Sequence, residues 1–127
     1  MPLREYRANL RELVDEARKA GAFPVLITAP VEARMGPSEE DLRLNGRWAE
    51  MADHPAYARA TREVAQETGA GLVNFAAEYE RRRTDNPAEF FHDFVHPNGK
   101  GHQVLAELLR PWVACSMSGA CAPSARR

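Results

Sequence analysis

The sequence predicts an α/β fold whose strands run parallel. Helical and strand patterns alternate as helix, strand, helix, strand, helix, and such alternation implies parallel pairing through right-handed crossovers. The first strand candidate, Pro24 to Ala29 around Val25-Leu26-Ile27, is a short, nearly continuous apolar run, the pattern of a strand buried on both faces. Only two strand candidates occur, and a three-layer α/β fold with two strands is a truncated one.

Each element has a local reason. Leu3, Tyr6, Leu10, Leu13, Val14 and Ala17 recur at three- and four-residue steps and give one apolar stripe, which predicts a helix from Leu3 to Ala20. Arg18 and Lys19 suit its C-terminal end, and Gly21 stops it. Pro30 ends the first strand. Gly36-Pro37-Ser38 is turn chemistry, and Ser38 with Asp41 at the third position predicts a short helix to about Leu44, broken by Asn45-Gly46. Pro55 fits the first turn of the next helix, which runs to about Thr68 with Tyr57, Ala60, Val64 and Ala65 inward. Leu72 to Ala76 form the second strand, and Ala77 to Arg83 add a helical turn or two. The last helix runs from about Asn98 to Arg110, with Val104, Leu105, Leu108 and Leu109 inward, and Pro111 stops it. Residues 1–113 form the folded portion, and residues 114–127, rich in Ser, Ala and Arg, are expected as a disordered tail.

Composition narrows the function. The chain has 127 residues, enough for one domain with one core. Eighteen acids against 17 bases leave a net charge of −1, which gives no electrostatic footprint for nucleic acid or an anionic membrane. The Arg81-Arg82-Arg83 run follows Glu78 and Glu80 and reads as a solvated helix face. No apolar run approaches the ~20 residues that span a bilayer. No signal peptide opens the chain, so a cytoplasmic location is the default; secretion stays open if the native N-terminus lies elsewhere. Cys115 and Cys121, the only cysteines, fit a small disulfide loop or two free thiols equally well.

The chemistry concentrates in Phe91-His92-Asp93-Phe94-Val95-His96-Pro97-Asn98-Gly99-Lys100-Gly101-His102. Asp93 and His96 stand three apart, so one tight turn brings the carboxylate to a ring nitrogen. That fixes the tautomer and leaves the other nitrogen free as a base. Pro97 pushes His96 out of the helical region, Asn98 caps the helix that follows, and Gly99 and Gly101 permit close backbone approach. A loop-stabilising polar pair is the plain structural alternative. His92 and His96 have metal-ligand spacing only on a helix, which Pro97 opposes, so no metal is expected. Asn98-Gly99-Lys100-Gly101 lacks the spacing of a phosphate loop. His102 reads as a packing or surface residue, and Phe90, Phe91 and Phe94 as packing that anchors the loop. Arg34 leaves the C-terminal end of the first strand, where ligands bind in parallel sheets, and is a candidate substrate contact; the substrate-binding set is otherwise unknown.

The Asp93-x-x-His96-Pro97-Asn98 block resembles the last block of the SGNH (GDSL-type) esterases and lipases. The Tyr6-x-x-Asn9-Leu10 helix, the strand ending in Thr28-Ala29-Pro30, and a second helix and strand occur in that family's order. The resemblance implies the C-terminal part of a three-layer α/β/α flavodoxin-like fold, over residues 1–113. It implies Asp93 as the orienting acid and His96 as the general base of a Ser-His-Asp triad, with a small acyl or acetyl ester as substrate and no cofactor. The family's Gly-Asp-Ser nucleophile block, oxyanion glycine and Gly-x-Asn-Asp block have no counterpart here, and none of Ser38, Ser116, Ser118 and Ser124 lies in such a setting. The chain is therefore expected to be inactive alone.

The family's strand order pairs the two strands with each other and leaves the first beside a missing neighbour. Such an apolar edge is a template for self-association. It also supports a reading of another class, a non-catalytic α/β module that binds a partner through that edge.

Overall fold

The computed structural model describes residues 1–36, 40 and 53–121. The helix expected from Ser38 to Leu44 and its break at Asn45-Gly46 lie almost wholly outside these residues.

Helix α1, Leu3–Lys19, forms on the predicted stripe and is followed by Gly21 in the left-handed region at φ 80°, where a residue without Cβ is favoured. Val14 is its buried residue, whereas Leu13, on the edge of the stripe, is exposed. The helix lies against α2, His54–Thr68. Tyr6 meets the ring of Tyr57 edge-on at 4.9 Å between centroids, and its hydroxyl hydrogen-bonds Thr61 Oγ1 at 2.8 Å. Ala58, Ala60, Thr61, Val64 and Ala65 of α2 are buried.

Strands β1, Val25–Ile27, and β2, Gly71–Val73, pair in parallel with Val25 opposite Gly71 and Ile27 opposite Val73. Gly71 N–H donates to Pro24 at 2.9 Å and Thr28 N–H to Val73 at 3.0 Å, which extends the ladder at both ends. The parallel pairing agrees with the sequence reading. The second strand is shorter than expected, because the chain turns into helix α3, Phe75–Arg82, at once. Asn74 causes this. Its Oδ1 accepts from Ala77 N–H and from Thr28 Oγ1, and Thr28 Oγ1 accepts from Ala76 N–H, so the helix start is tied to the end of β1.

Helix α4, Gly99–Ser118, packs on β2. Val73, Phe75 and Val104 make the buried cluster there, with Val25, Phe90, Leu105, Leu108, Leu109 and Trp112 against it. Side chains alternate along a strand, so Leu72 turns to the other face, and α2 packs on both strands. Helices thus cover the small sheet on both sides.

Pro111 does not stop α4, contrary to expectation. Proline removes one N–H from the helical ladder, but the residues beyond it are held independently. Trp112 Nε1–H donates to the Leu72 carbonyl at 3.2 Å, and its ring stacks on Phe23 at 5.9 Å. Cys115 and Cys121 are joined in a disulfide, which resolves the choice the spacing left open. Residues 114–121, expected in a disordered tail, are therefore helix and turn; residues 122–127 lie outside the described ones. The arginine run behaves as predicted: Arg81 and Arg82 pair with Glu78, Arg82 also with Glu107, and Arg83 with Glu80. No helix among the described residues is long and apolar enough to cross a membrane.

Candidate active site

The loop between α3 and α4 is a narrow clasp. Phe91 and Pro97 face each other in an isolated antiparallel bridge. His92 N–H donates to the His96 carbonyl and Asn98 N–H to the Phe90 carbonyl, both at 2.8 Å. Asn98 holds the base of the clasp with its side chain. Its Nδ2 donates to the carbonyls of Ala88 and Glu89 at 3.0 and 3.1 Å, and its Oδ1 accepts from Gly101 N–H at 3.1 Å as the cap of α4. A Cβ on Gly101 would collide with the Phe90 carbonyl and stand 2.7 Å from Pro97 Cβ, so glycine is required there. Gly99 has open space around it, and the close approach expected at both glycines applies to Gly101 alone.

Asp93 and His96 meet as the spacing predicts. Asp93 Oδ1 accepts from the backbone N–H groups of Val95 and His96, each at 2.8 Å, an Asx turn. Asp93 Oδ2 lies 2.7 Å from His96 Nδ1. The N–H of Val95 above all, then the His96 ring, holds the Asp93 carboxyl down at about 2, so it is ionised at neutral pH. An ionised carboxylate only accepts, which makes Nδ1 the protonated nitrogen of neutral His96. Nε2 then carries the lone pair, and no described residue bonds it. The His96 side chain is 73% exposed and Asp93 47%, so the pair stands at the surface with Nε2 accessible. Such a nitrogen can take a proton from a hydroxyl brought within hydrogen-bond distance.

The other candidates sort out by position. Ser116 and Ser118 sit near the far end of α4, roughly 25 Å from its start at a 1.5 Å rise per residue, beyond reach of His96. Ser38 and Ser124 lie outside the described residues. His92 and His102 are exposed, and no group of His, Cys, Asp and Glu among the described residues has the arrangement of a metal site. Phe91 is buried beneath the clasp, against the ring of Tyr79 at 4.7 Å. Arg34 is not free for substrate. Its Nε and Nη2 bind the two carboxylate oxygens of Glu32, both at 2.8 Å, and its Nη1 donates to the Thr84 carbonyl at 2.7 Å.

Glu32 is the residue that sequence reasoning missed. Its side chain is wholly buried, and besides Arg34 it accepts from the Tyr79 hydroxyl and from Arg34 N–H. Pairing with Arg34 outweighs burial and holds its carboxyl at about 2, while burial and the Glu32 charge push Tyr79 up to about 12. Glu32 N–H donates to the Phe94 carbonyl at 2.9 Å, between Asp93 and His96 in sequence. The Glu32-x-Arg34 spacing is the one local sign; Tyr79 is 47 residues away.

The model of the GDSL-like lipase/acylhydrolase family matches residues 1–104. No curated protein sequence matches the chain. Among solved structures, the chain is similar to Axe2, an acetylxylan esterase from Geobacillus stearothermophilus, at 31% identity and a TM-score of 0.59 over 86% of this chain and 46% of that one. A mutant of that esterase, described as an acetyl-xylooligosaccharide esterase, superposes with a TM-score of 0.61 over 87% of this chain and 47% of that chain. LAE5, an alpha/beta hydrolase enzyme from the metagenome of Lake Arreo, Spain, is 27% identical with a TM-score of 0.59, over 91% of this chain and 49% of that one. The chain thus spans about half the length of the solved structures it matches, in the α/β arrangement of an SGNH-like hydrolase. With the family pattern running from residue 1 to residue 104, into the first turns of α4, this chain belongs to the GDSL-like lipase/acylhydrolase family.

Proposed function

We propose that residues 1–113 supply the acid and base of an ester hydrolase, with Asp93 and His96 in those roles, and that the serine nucleophile and oxyanion donors come from a segment these 127 residues do not contain. The observation that carries this is the 2.7 Å contact between Asp93 Oδ2 and His96 Nδ1, on an exposed loop with Nε2 accessible. In the reaction, Nε2 takes the serine proton as the serine oxygen attacks the ester carbonyl, and Asp93 stabilises the imidazolium that forms. That proton then passes to the leaving alcohol, and water releases the acyl group by the same steps in reverse. The solved relatives named as acetylxylan and acetyl-xylooligosaccharide esterases favour an acetyl ester of a sugar as substrate.

The test is hydrolysis of p-nitrophenyl acetate by the chain and by His96→Ala. Both are expected at background, since no serine among the described residues faces the base. A clear rate that disappears in His96→Ala would place a nucleophile within the chain and overturn the division of the site. Reading the coding sequence upstream of Met1 for an in-frame Gly-Asp-Ser is the complementary check.

The outer edge of β1 favours a second reading, in which the chain binds a partner without catalysis. Its Ile27 is 39% exposed, and β1 pairs only with β2 among the described residues.

A further inference from the structure

Glu32 sits at a junction that neither the acid–base pair nor the core explains. A fully buried carboxylate is costly unless paired and hydrogen-bonded, and here every bond it makes leads toward the His96 loop or fixes its own backbone. Its Oε1 accepts from Arg34 N–H at 2.9 Å, which closes the short 3-10 turn Ala33–Met35 and locks residue 32. From that locked residue the N–H reaches the Phe94 carbonyl at 2.9 Å. Its Oε2 accepts from Tyr79, whose ring carries Phe91 at 4.7 Å and Phe90 at 6.2 Å, the two residues that open the clasp. Arg34 closes the arrangement by bonding both Glu32 oxygens and the carbonyl of Thr84, in the turn that leads from α3 into the loop. The carboxylate is therefore linked to the loop at its middle, through Phe94, and at its entrance, through Phe91.

From this we infer that Glu32 is a positioning residue for His96: buried Glu32 and Tyr79, with the more exposed Arg34 across them, hold the loop in the one conformation in which Asp93 Oδ2 meets His96 Nδ1. The inference rests on the reading of His96 as the base, which needs the Nδ1–H tautomer. The Asx turn and the Asn98 clasp fix the loop's backbone from within, but little holds the imidazole itself. The ring makes no described bond but the one to Asp93, and a single exposed contact to a carboxylate is worth little.

The experiment reads the ring itself and needs no esterase activity. Nitrogen-15 spectra of His96 at a pH where the ring is neutral report which nitrogen carries the proton. They are recorded for the chain, Glu32→Gln, Tyr79→Phe and Asp93→Asn, each at a temperature where its amide spectrum shows a folded protein. The parent is expected to show Nδ1 protonated and Nε2 bare. Asp93→Asn is expected to lose that preference; if it does not, the reading of the pair fails, and with it the inference. Given that loss, Glu32→Gln is expected to shift both ring nitrogens toward the averaged positions of a free imidazole while the rest of the fold is kept. Tyr79→Phe keeps the ring on Phe91 but removes the hydroxyl bond, and is expected to move the nitrogens the same way by less. It decides the matter if Glu32→Gln does not fold. Parent-like His96 nitrogens in the folded Glu32 variant, or in Tyr79→Phe if that is the only one to fold, would show that the cluster supports the core alone and overturn the inference.

Discussion

Asp93 divides its carboxylate between the backbone and His96. Oδ1 is taken by the N–H groups of Val95 and His96, and Oδ2 is left to the ring at 2.7 Å. The turn that brings the residues together thus also orients the oxygen that the imidazole meets. Asn at position 93 keeps the shape and the Asx turn but offers an NH₂ group where the ring needs an acceptor.

This yields a prediction for a protein in which a serine faces Nε2. Asp93→Asn should lose on the order of 10⁴ in kcat, as the same change does in a Ser-His-Asp protease. His96→Ala should lose a comparable amount, and the double variant little more than either, because the residues act as one unit. Thermal unfolding of His96→Ala should stay within about 1 kcal/mol of the parent, as for exposed side chains in general. If kcat falls only in step with stability, the pair is a structural one.

The two glycines after Asn98 should respond oppositely to alanine. At Gly101 the new methyl meets the Phe90 carbonyl and Pro97 Cβ, with backbone on one side and a fixed ring on the other. About 1–3 kcal/mol of destabilisation is expected, as for overpacking elsewhere. At Gly99 nothing lies within 4 Å, and alanine in a helix is favoured over glycine by about 0.5–1 kcal/mol. Denaturant midpoints of the two variants check this; equal losses would mean that the clasp does not press on α4 as described.

Sequence alone reached the parts of the molecule that are local. The stripe of α1, the cap at Asn98 and the meeting of Asp93 with His96 follow from residues a few positions apart, and the parallel pairing from the order of the elements. It failed where distant partners decide. Pro111 reads as a stop until Trp112 is seen anchored on Leu72 and Phe23. Phe75 and Ala76 read as strand until Thr28, 46 residues from Asn74, joins its cap. Arg34 reads as a free cation at a sheet edge until Glu32 and Thr84 occupy it.

The outer edge of β1 leads to a prediction about association. Parallel strands are ordinarily covered and paired on both sides, and an exposed apolar edge pairs with other chains. Ile27 is exposed on β1, as are Leu13 on α1 and Val113 on α4. Sedimentation velocity at rising concentration should show a dimer or larger soluble species, or else a marginal fold below about 5 kcal/mol. A stable monomer that unfolds in one sharp transition would count against the open edge.

The last prediction concerns acid. The Glu32 carboxyl is lowered from 4.5 to about 2 on folding, chiefly by Arg34, so the unfolded chain binds the proton more readily than the folded one between those values. Stability from this group is therefore complete above about pH 4.5 and is lost as pH falls toward about 2. Over that interval one such group accounts for at most about 3 kcal/mol, and less to the extent that solvent screens the exposed Arg34. Asp93 is lowered in the same direction, by Val95 N–H and then His96, and acts in the lower part of that window, from about pH 3.8 down. Tyr79 gives the opposite limb: its hydroxyl is raised to about 12 by burial and by Glu32, so its contribution is present below about pH 10 and lost as pH rises through 12. Glu32→Gln should then be less stable than the parent at pH 7 by up to about 3 kcal/mol. Its stability should fall less steeply from pH 4.5 to 2, because one of the titrating groups is gone. Urea unfolding of parent and variant at half-unit pH steps measures both curves. Parallel curves through that window would mean that folding does not lower the Glu32 pKa, whatever the geometry around it.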